Sequence, residues 1–439
     1  MSPSSQKTLN NGKHEDEEEE NQQQHQQHQQ QQNNKYLKPA CIYFEDDFLM
    51  LPSNASSSAI HEHLSFHPLL RRNAIAALKS QSVETFHREM FHNTDAPVPV
   101  IYVHQGEIGH ATSYQYNQRG AVLVSDAATT CHVLAFRSFR SIIHTAHART
   151  RNEHNAADGK NKNEYRIYGS LCHLDSPEYE SCIRNTVQDH MNYHQEDKIE
   201  NLDNSTSTST STAMPTSPIC IEVHLVGGYN DAKGASSEIT NAFFTLLKKL
   251  ASELTPHVVF HLKTCVVCGL NDSINYRIDT SNSKSNSNSN SNSNCASSLS
   301  SPIMRGFAMD VNSGRIVLIK NVDGTLLGPK PTLRRARLWC NDSREKCLNI
   351  VHHREQDFIS IEPFVLKTFL DFHYFLKMPN DLLLEYTSTS PECEAENYCD
   401  EFRDTARFLM STNTEDVFGP KNLRLVFGYE LDSREWSGV

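Results

Sequence analysis

Gly120-Ala121-Val122-Leu123-Val124-Ser125-Asp126-Ala127-Ala128-Thr129-Thr130-Cys131-His132-Val133-Leu134-Ala135-Phe136 holds two apolar runs on either side of a short polar segment. Each run has the length and composition of a strand. The polar segment is then the connection between two strands, with Cys131 at the head of the second. A thiol there, with Asp126, Thr129, Thr130 and His132 close by in the chain, sits in polar surroundings that favour the thiolate. The same position also suits a buried structural cysteine, because free Cys is among the most buried residue types.

At 439 residues the chain has room for one large domain or two ordinary ones. A hydrophobic content of 37% is low, so part of this length is expected to stay outside any core. The net charge of -12, with no basic stripe, argues against a nucleic-acid binder. No apolar run approaches the roughly 18 residues of a membrane span, and the N-terminus lacks a signal-peptide core. The expectation is a cytoplasmic or nuclear protein whose twelve cysteines are reduced. Cys265-Val266-Val267-Cys268 matches C-x-x-C, but no second pair or histidine follows at zinc-ligand spacing. It reads as two thiols on a strand, and no metal or cofactor is expected.

Outward from the cysteine stretch the chain alternates patterned and low-complexity segments. Residues 1–35 are acidic, then rich in Gln, His and Asn, a composition that cannot offset the entropy of ordering. They read as a disordered tail, with His25 and His28 in solvent. One domain is expected over 36–439, interrupted by flexible inserts at 149–163, 204–217 and 281–301. Strands are predicted at Cys41–Phe44, Val100–His104, from Cys131 to about Phe139, and at Ile167–His173, Ile219–Val226, Val258–Leu270, Gly306–Asp310 and Ile316–Lys320. Later ones fall at Lys346–His352, Asp357–Ile361 and Leu423–Tyr429. Helices are predicted at Arg71–Ser80, Glu238–Leu250, Leu333–Cys340, Pro363–Leu376 and Glu396–Met410, and one is expected to start at Pro177 with Ser176 as its cap. Most strands read as hairpins, Val100–His104 with the cysteine stretch among them. That pattern points to a layered α+β architecture.

A thiol nucleophile needs a base, and the base needs an orienting group. His144, His147 and His173 all follow Cys131 closely enough to come from an adjacent strand. His173 is the best placed, because Asp175 two positions on would share its face and could fix the ring's tautomer. His224 is a polar residue in an apolar strand, either structural or facing a ligand. Gly227-Gly228 permits a close backbone approach or simply turns the chain.

Ser125-Asp126-Ala127-Ala128-Thr129-Thr130-Cys131-His132, taken together with Glu222-Val223-His224-Leu225-Val226-Gly227-Gly228-Tyr229, resembles the protein N-terminal asparagine amidohydrolase family of animals and plants. Ser170-Leu171-Cys172-His173-Leu174-Asp175-Ser176-Pro177-Glu178 and Ser388-Thr389-Ser390-Pro391 extend the likeness. Leu51-Pro52, His67-Pro68-Leu69-Leu70 and Gln81-Ser82-Val83 fall in the family's order. The resemblance implies a cysteine amidohydrolase that converts N-terminal asparagine to aspartate with release of ammonia, the product then being arginylated and read as a degradation signal. It implies Cys131 as nucleophile and His173 as base. The implied fold is an α-β-β sandwich similar to chemotaxis-receptor deamidases and the catalytic domain of cytotoxic necrotizing factor toxins. The chain departs from the family in having Ala127 where a second acidic residue is usual, and in a longer separation between Cys131 and His173.

The catalytic set expected on these grounds is Cys131, His173, Asp175 and Thr130, with backbone N–H groups around Thr130-Cys131 as oxyanion donors. The substrate-binding set is Asp126, Ser125, His224, Gly227 and Gly228, in which Asp126 would take the substrate's α-ammonium. Partners are proteins or peptides with N-terminal Asn, and the protein is expected to be a monomer that binds neither nucleic acid nor membrane. Two other readings stay open: a thiol deamidase acting on internal Gln or Asn, and a non-catalytic module that captures N-terminal residues.

Overall fold

The computed structural model describes residues 42–44, 47–49, 67–79, 98–113, 121–141, 165–195, 218–274, 300–322, 324–340, 347–353, 357–430, 433 and 435–439. The tail 1–35, the inserts 149–163 and 204–217, all but the last two residues of insert 281–301, and both His144 and His147 lie outside them. Up to the cysteine come β1 (Ile42–Phe44), β2 (Asp47–Leu49), α1 (Pro68–Lys79), β3 (Val100–Tyr102), β4 (Glu107–Thr112) and β5 (Val122–Ser125). Past it run β6 (His132–Ser141), β7 (Tyr165–Leu174), α2 (Glu180–Tyr193), β8 (Ile219–Gly227), α3 (Ala235–Leu254) and β9 (Val258–Val267). The chain continues with β10 (Gly306–Asp310), β11 (Ile316–Ile319), α4 (Pro331–Cys340), β12 (Asn349–His352) and β13 (Phe358–Ile361). It ends with α5 (Phe372–Phe375), α6 (Asn380–Thr387), α7 (Tyr398–Ser411), α8 (Thr414–Phe418), β14 (Leu425–Glu430) and β15 (Glu435–Gly438).

The strands form a sheet of eleven, in the order β15-β14-β13-β12-β4-β7-β6-β8-β9-β1-β2, and a sheet of four, β11-β10-β5-β3. β6 lies near the middle of the large sheet. It runs antiparallel to β7 from His132↔Leu174 to Ser141↔Tyr165, and antiparallel to β8 from His132↔Gly227 to Phe139↔Cys220. Successive side chains on a strand point to opposite faces, so these registers sort residues into two layers. Leu134, Phe136 and Ser138 face the helices: the Phe136 ring lies 6.5 Å from Phe243 of α3, and Ser138 Oγ is 2.7 Å from His190 Nδ1 of α2. Val133, Ala135 and Arg137 face the small sheet, where Arg137 Nε donates to the Val311 carbonyl at 2.9 Å. Gly169, opposite Arg137 on β7, is pressed by the small sheet, and a Cβ there would lie 2.9 Å from Val311 Cγ2.

Helices α2 and α3, the large sheet and the small sheet therefore lie in succession. One buried cluster runs through all three, with Phe243 and Leu247 from α3, Leu134 and Val226 from the large sheet, and Leu123 and Phe307 from the small one. Each such side chain contributes about 1.5–3 kcal/mol by leaving water.

The architecture is mixed α/β, with parallel and antiparallel pairs in both sheets, and not the run of hairpins that the strand spacing suggests. β3 pairs with β5 in parallel, because between them the chain crosses to the large sheet as β4. β8 and β9 are also parallel, joined through α3. The helix expected over 363–376 shrinks to the single turn of α5. There the backbone is tied sideways: Leu366 N–H bonds Thr414 Oγ1 at 2.9 Å and Lys367 N–H bonds Cys340 Sγ at 3.3 Å, which removes the i→i−4 ladder. Ser176 accepts from Glu178 N–H at 3.2 Å but closes only a turn, and α2 begins at Glu180.

Glu107 of β4 sits buried under α4. Its carboxylate receives Arg334 Nη2 at 2.5 Å, Arg334 Nε at 3.0 Å and Arg337 Nη2 at 2.6 Å. Arg334 Nη2 also donates to the Tyr102 carbonyl at 2.6 Å, which joins β3, β4 and α4. Burial alone would raise the carboxyl's pKa, but the two guanidiniums outweigh it and hold it at about 2. Removing one partner of a buried pair leaves uncompensated charge, so Glu107→Gln is expected to cost about 3–5 kcal/mol in thermal or denaturant unfolding. Because the folded pKa lies below the ordinary 4.5, this stabilisation is complete above pH 4.5 and disappears as pH falls through about 2. Unfolding curves between pH 7 and pH 2 should show the loss in the native protein and not in the Gln variant.

Candidate active site

Cys131 is half-buried and stands one residue before β6. Alternation carried back by that residue puts it on the face of Val133, the face that meets the small sheet. His173 is the direct cross-strand partner of Val133. Cys131 and His173 are thus diagonal neighbours on one face, at the end of the sheet where β6 begins and β7 finishes.

The small sheet supplies the ring's support. Ser125, the last residue of β5, places Oγ 2.9 Å from His173 Nδ1, while Nε2 is buried and has no hydrogen-bond partner. Burial lowers the ring's pKa to about 4, with Asp175 and Glu107 pulling against it, so His173 is a neutral imidazole at pH 7. The orienting group that the spacing assigned to Asp175 is Ser125. Asp175 lies just past β7, receives the Tyr179 hydroxyl at 2.5 Å and Gln105 Nε2 at 3.1 Å, and acts on His173 through its charge. The turn before β4 braces the same place, since Gly106 N–H bonds the His173 carbonyl at 3.0 Å.

The other expected residues fall as follows. Thr130 Oγ1 is 2.7 Å from Thr389 Oγ1, which ties the cysteine loop to the segment between α6 and α7. Asp126 is buried, and its two oxygens accept the Tyr102 hydroxyl and the Val322 N–H, so it anchors the connection between the sheets. Ala127 is exposed and adopts φ 59°. His224 pairs with Ala135, four residues into the sheet from Cys131, with Nδ1 3.0 Å from Thr264 Oγ1 and its ring 6.3 Å from Phe307. Burial lowers its pKa to about 3. It lies beneath the small sheet, away from the cysteine.

Gly227 has φ 125°, and a Cβ there would meet the Cys131 carbonyl at 2.5 Å. Gly228, at φ 64°, packs against His132 Cε1, where a Cβ would lie at 2.7 Å. The close approach these glycines permit is that of the cysteine's own backbone.

The contacts made by Tyr179, Tyr398 and Glu394 carried no local signal. Tyr179 and Tyr398 have phenols raised chiefly by burial, and negative charge at Cys131 adds to both. Near Tyr398, Ser388 Oγ donates to Glu394 Oε1. Of these, only the region around Ser388-Thr389-Ser390-Pro391 could be noticed in the chain, through its resemblance to a family segment.

The described cysteines differ in burial. Burial pushes Cys172 and Cys265 far above the usual thiol range and Cys268 to about 12. Cys131, half-buried on the face of His173, is expected to be labelled by iodoacetamide at pH 7 while Cys172, Cys265 and Cys268 stay unlabelled. Peptide mapping checks this, with exposed Cys347 as the internal positive. His173→Ala should slow labelling of Cys131 severalfold and leave Cys347 unchanged.

Comparison with known proteins follows the same lines. A model of the family described as protein N-terminal asparagine amidohydrolase matches residues 162–281 and 284–437, more than half of the chain. That span takes in His173, His224 and the 388–398 segment and begins beyond Cys131. The protein N-terminal asparagine amidohydrolase of Sus scrofa is 23% identical over 363 residues, covering 82% of this chain and 88% of that protein. Its counterpart in Mus musculus is 22% identical over 367 residues, 83% of this chain and 89% of its own. That of Homo sapiens is 23% identical over 346 residues, 78% and 82% respectively. With the family model matching more than half of its length, this chain belongs to the protein N-terminal asparagine amidohydrolase family.

Proposed function

We propose that the protein deamidates N-terminal asparagine of proteins and peptides to aspartate, with Cys131 as nucleophile and His173 as proton carrier. The observation that supports it most is the placement of His173: same face as Cys131, Nδ1 held by Ser125, Nε2 buried without a partner. The relatives' names supply the substrate, N-terminal asparagine.

The Cys131 thiol gives its proton to Nε2, and the sulfur attacks the carboxamide carbon. Backbone N–H groups at Thr130-Cys131 receive the oxyanion. The C–N bond breaks as the imidazolium returns the proton to ammonia, leaving a thioester. One water, deprotonated by the same ring, then attacks; the C–S bond breaks and the thiol is restored. One water is consumed and one ammonia released. Tyr179 and Asp175 border this path and position the loop after β7. Rejection of glutamine rests on fit, since one methylene is worth only about 1–3 kcal/mol in a pocket. The fold's likeness to the catalytic domain of cytotoxic necrotizing factor toxins, a cytoplasmic or nuclear location, and delivery of the new aspartate to arginylation and degradation all belong to this same reading.

Ammonia release from an Asn-initiated peptide is the test. Cys131→Ala is expected to lower kcat/KM on the order of 10⁴-fold or more, and turnover by that variant at the native rate would falsify the scheme. An N-acetylated Asn peptide should give no turnover; turnover of it would favour the deamidase of internal side chains. Because neutral His173 has its pKa at about 4, the acid limb of kcat/KM is expected near pH 4 and not near 6.5.

A further inference from the structure

We infer that Glu394 is the acceptor of the substrate's free α-ammonium, the residue that restricts the reaction to the first position of a chain; this rests on the reading above. In asparagine the α-nitrogen lies three bonds from the attacked carbon, within about 4 Å of it. The carboxylate that reads it must therefore stand beside Cys131, with an oxygen to spare. Asp126 does not qualify, because both its oxygens accept hydrogen bonds within the protein. Asp175 is taken by Tyr179 and Gln105. Glu107 is buried under two arginines. Glu392 is exposed and engaged with the Tyr229 hydroxyl at 2.8 Å.

Glu394 differs on each count. Oε1 accepts from Ser388, while Oε2 has no hydrogen-bond partner among the described residues, and no described cation stands within ion-pair distance. The residue is half-buried and not sealed. Its segment is pinned to the cysteine loop by Thr389 on Thr130 at 2.7 Å, and the Arg305 guanidinium holds the neighbouring Cys393 carbonyl. Tyr398 belongs to the same region, its hydroxyl donating to the Thr387 carbonyl at 2.9 Å, and burial raises its phenol, with charge at Glu394 and Cys131 adding to the shift. Burial pushes the Glu394 carboxyl up, the Ser388 hydroxyl and the Arg305 charge offset only part of this, and an incoming ammonium would offset the rest.

The test uses the full chain and two probes, an Asn-initiated peptide with a free amine and the same peptide N-acetylated. Binding is measured to Cys131→Ala and to Cys131→Ala/Glu394→Gln. Glu394→Gln is expected to weaken binding of the free-amine peptide on the order of 10- to 100-fold and to abolish the preference over the acetylated one. In otherwise native protein it should raise KM more than it lowers kcat. An unchanged preference in the double variant overturns the assignment, even where native protein turns the peptide over. Absence of ammonia release from native protein, with amine-dependent binding intact and sensitive to Glu394→Gln, would instead sink only the catalytic reading. Should Glu394→Gln not fold by thermal melting, Glu394→Asp keeps the charge and shortens its reach. A severalfold loss of affinity with the amine preference kept supports the assignment, and unchanged affinity overturns it.

Discussion

Ser125 Oγ and His173 Nδ1, 2.9 Å apart, join the last residue of a small-sheet strand to the penultimate residue of a large-sheet strand. The rest of the site depends on that contact. It can form only if the two sheets stack with β5 over β7 and if both strands keep their parity, since a slip of one residue in either would turn a side chain away. β10 secures β5 in place, with Phe307↔Ser125 as a paired position. Gly306 allows this, because a Cβ there would collide with the Ser125 carbonyl.

Behind the contact lies a rigid support of buried charge. Glu107 and its two arginines clamp the start of β4 to α4, and the turn just before β4 bonds the His173 carbonyl from Gly106 and the Asp175 carboxylate from Gln105. Such pairs cost desolvation, and breaking one is worse than never having it. Here the ions lock a backbone turn against the histidine's own strand. The low interior polarity that makes them costly also keeps the His173 ring neutral at pH 7, the state a proton acceptor requires.

The frame of the thiol is drawn from four stretches of chain: 125–131, 173–179, 227–229 and 388–398. Each contact between them is a single hydrogen bond or close approach, such as Thr130 with Thr389, 259 positions apart. The glycines at 227 and 228 serve the frame by letting β8 pass against the cysteine's backbone.

Read from the chain alone, the strand leading away from Cys131, its return at His173 and the apolar strand ending at Gly227 were all visible, because side-chain alternation is local and survives in any fold. So were α3 and α7, whose apolar spacing repeats over several turns. His173 stood out beside His144 and His147 because Asp175 follows it by two positions, and the register of β6 and β7 puts it on the face of Cys131. Other partners were not visible: Ser125 as the ring's support in place of Asp175, Asp126 spent on Tyr102 and Val322, Glu394 bonded by Ser388, and α5 reduced to one turn by side bonds to Cys340 and Thr414. A sequence records which groups a residue can bond, not which one reaches it. That is settled by the register and stacking of distant strands, where one position's shift exchanges one partner for another.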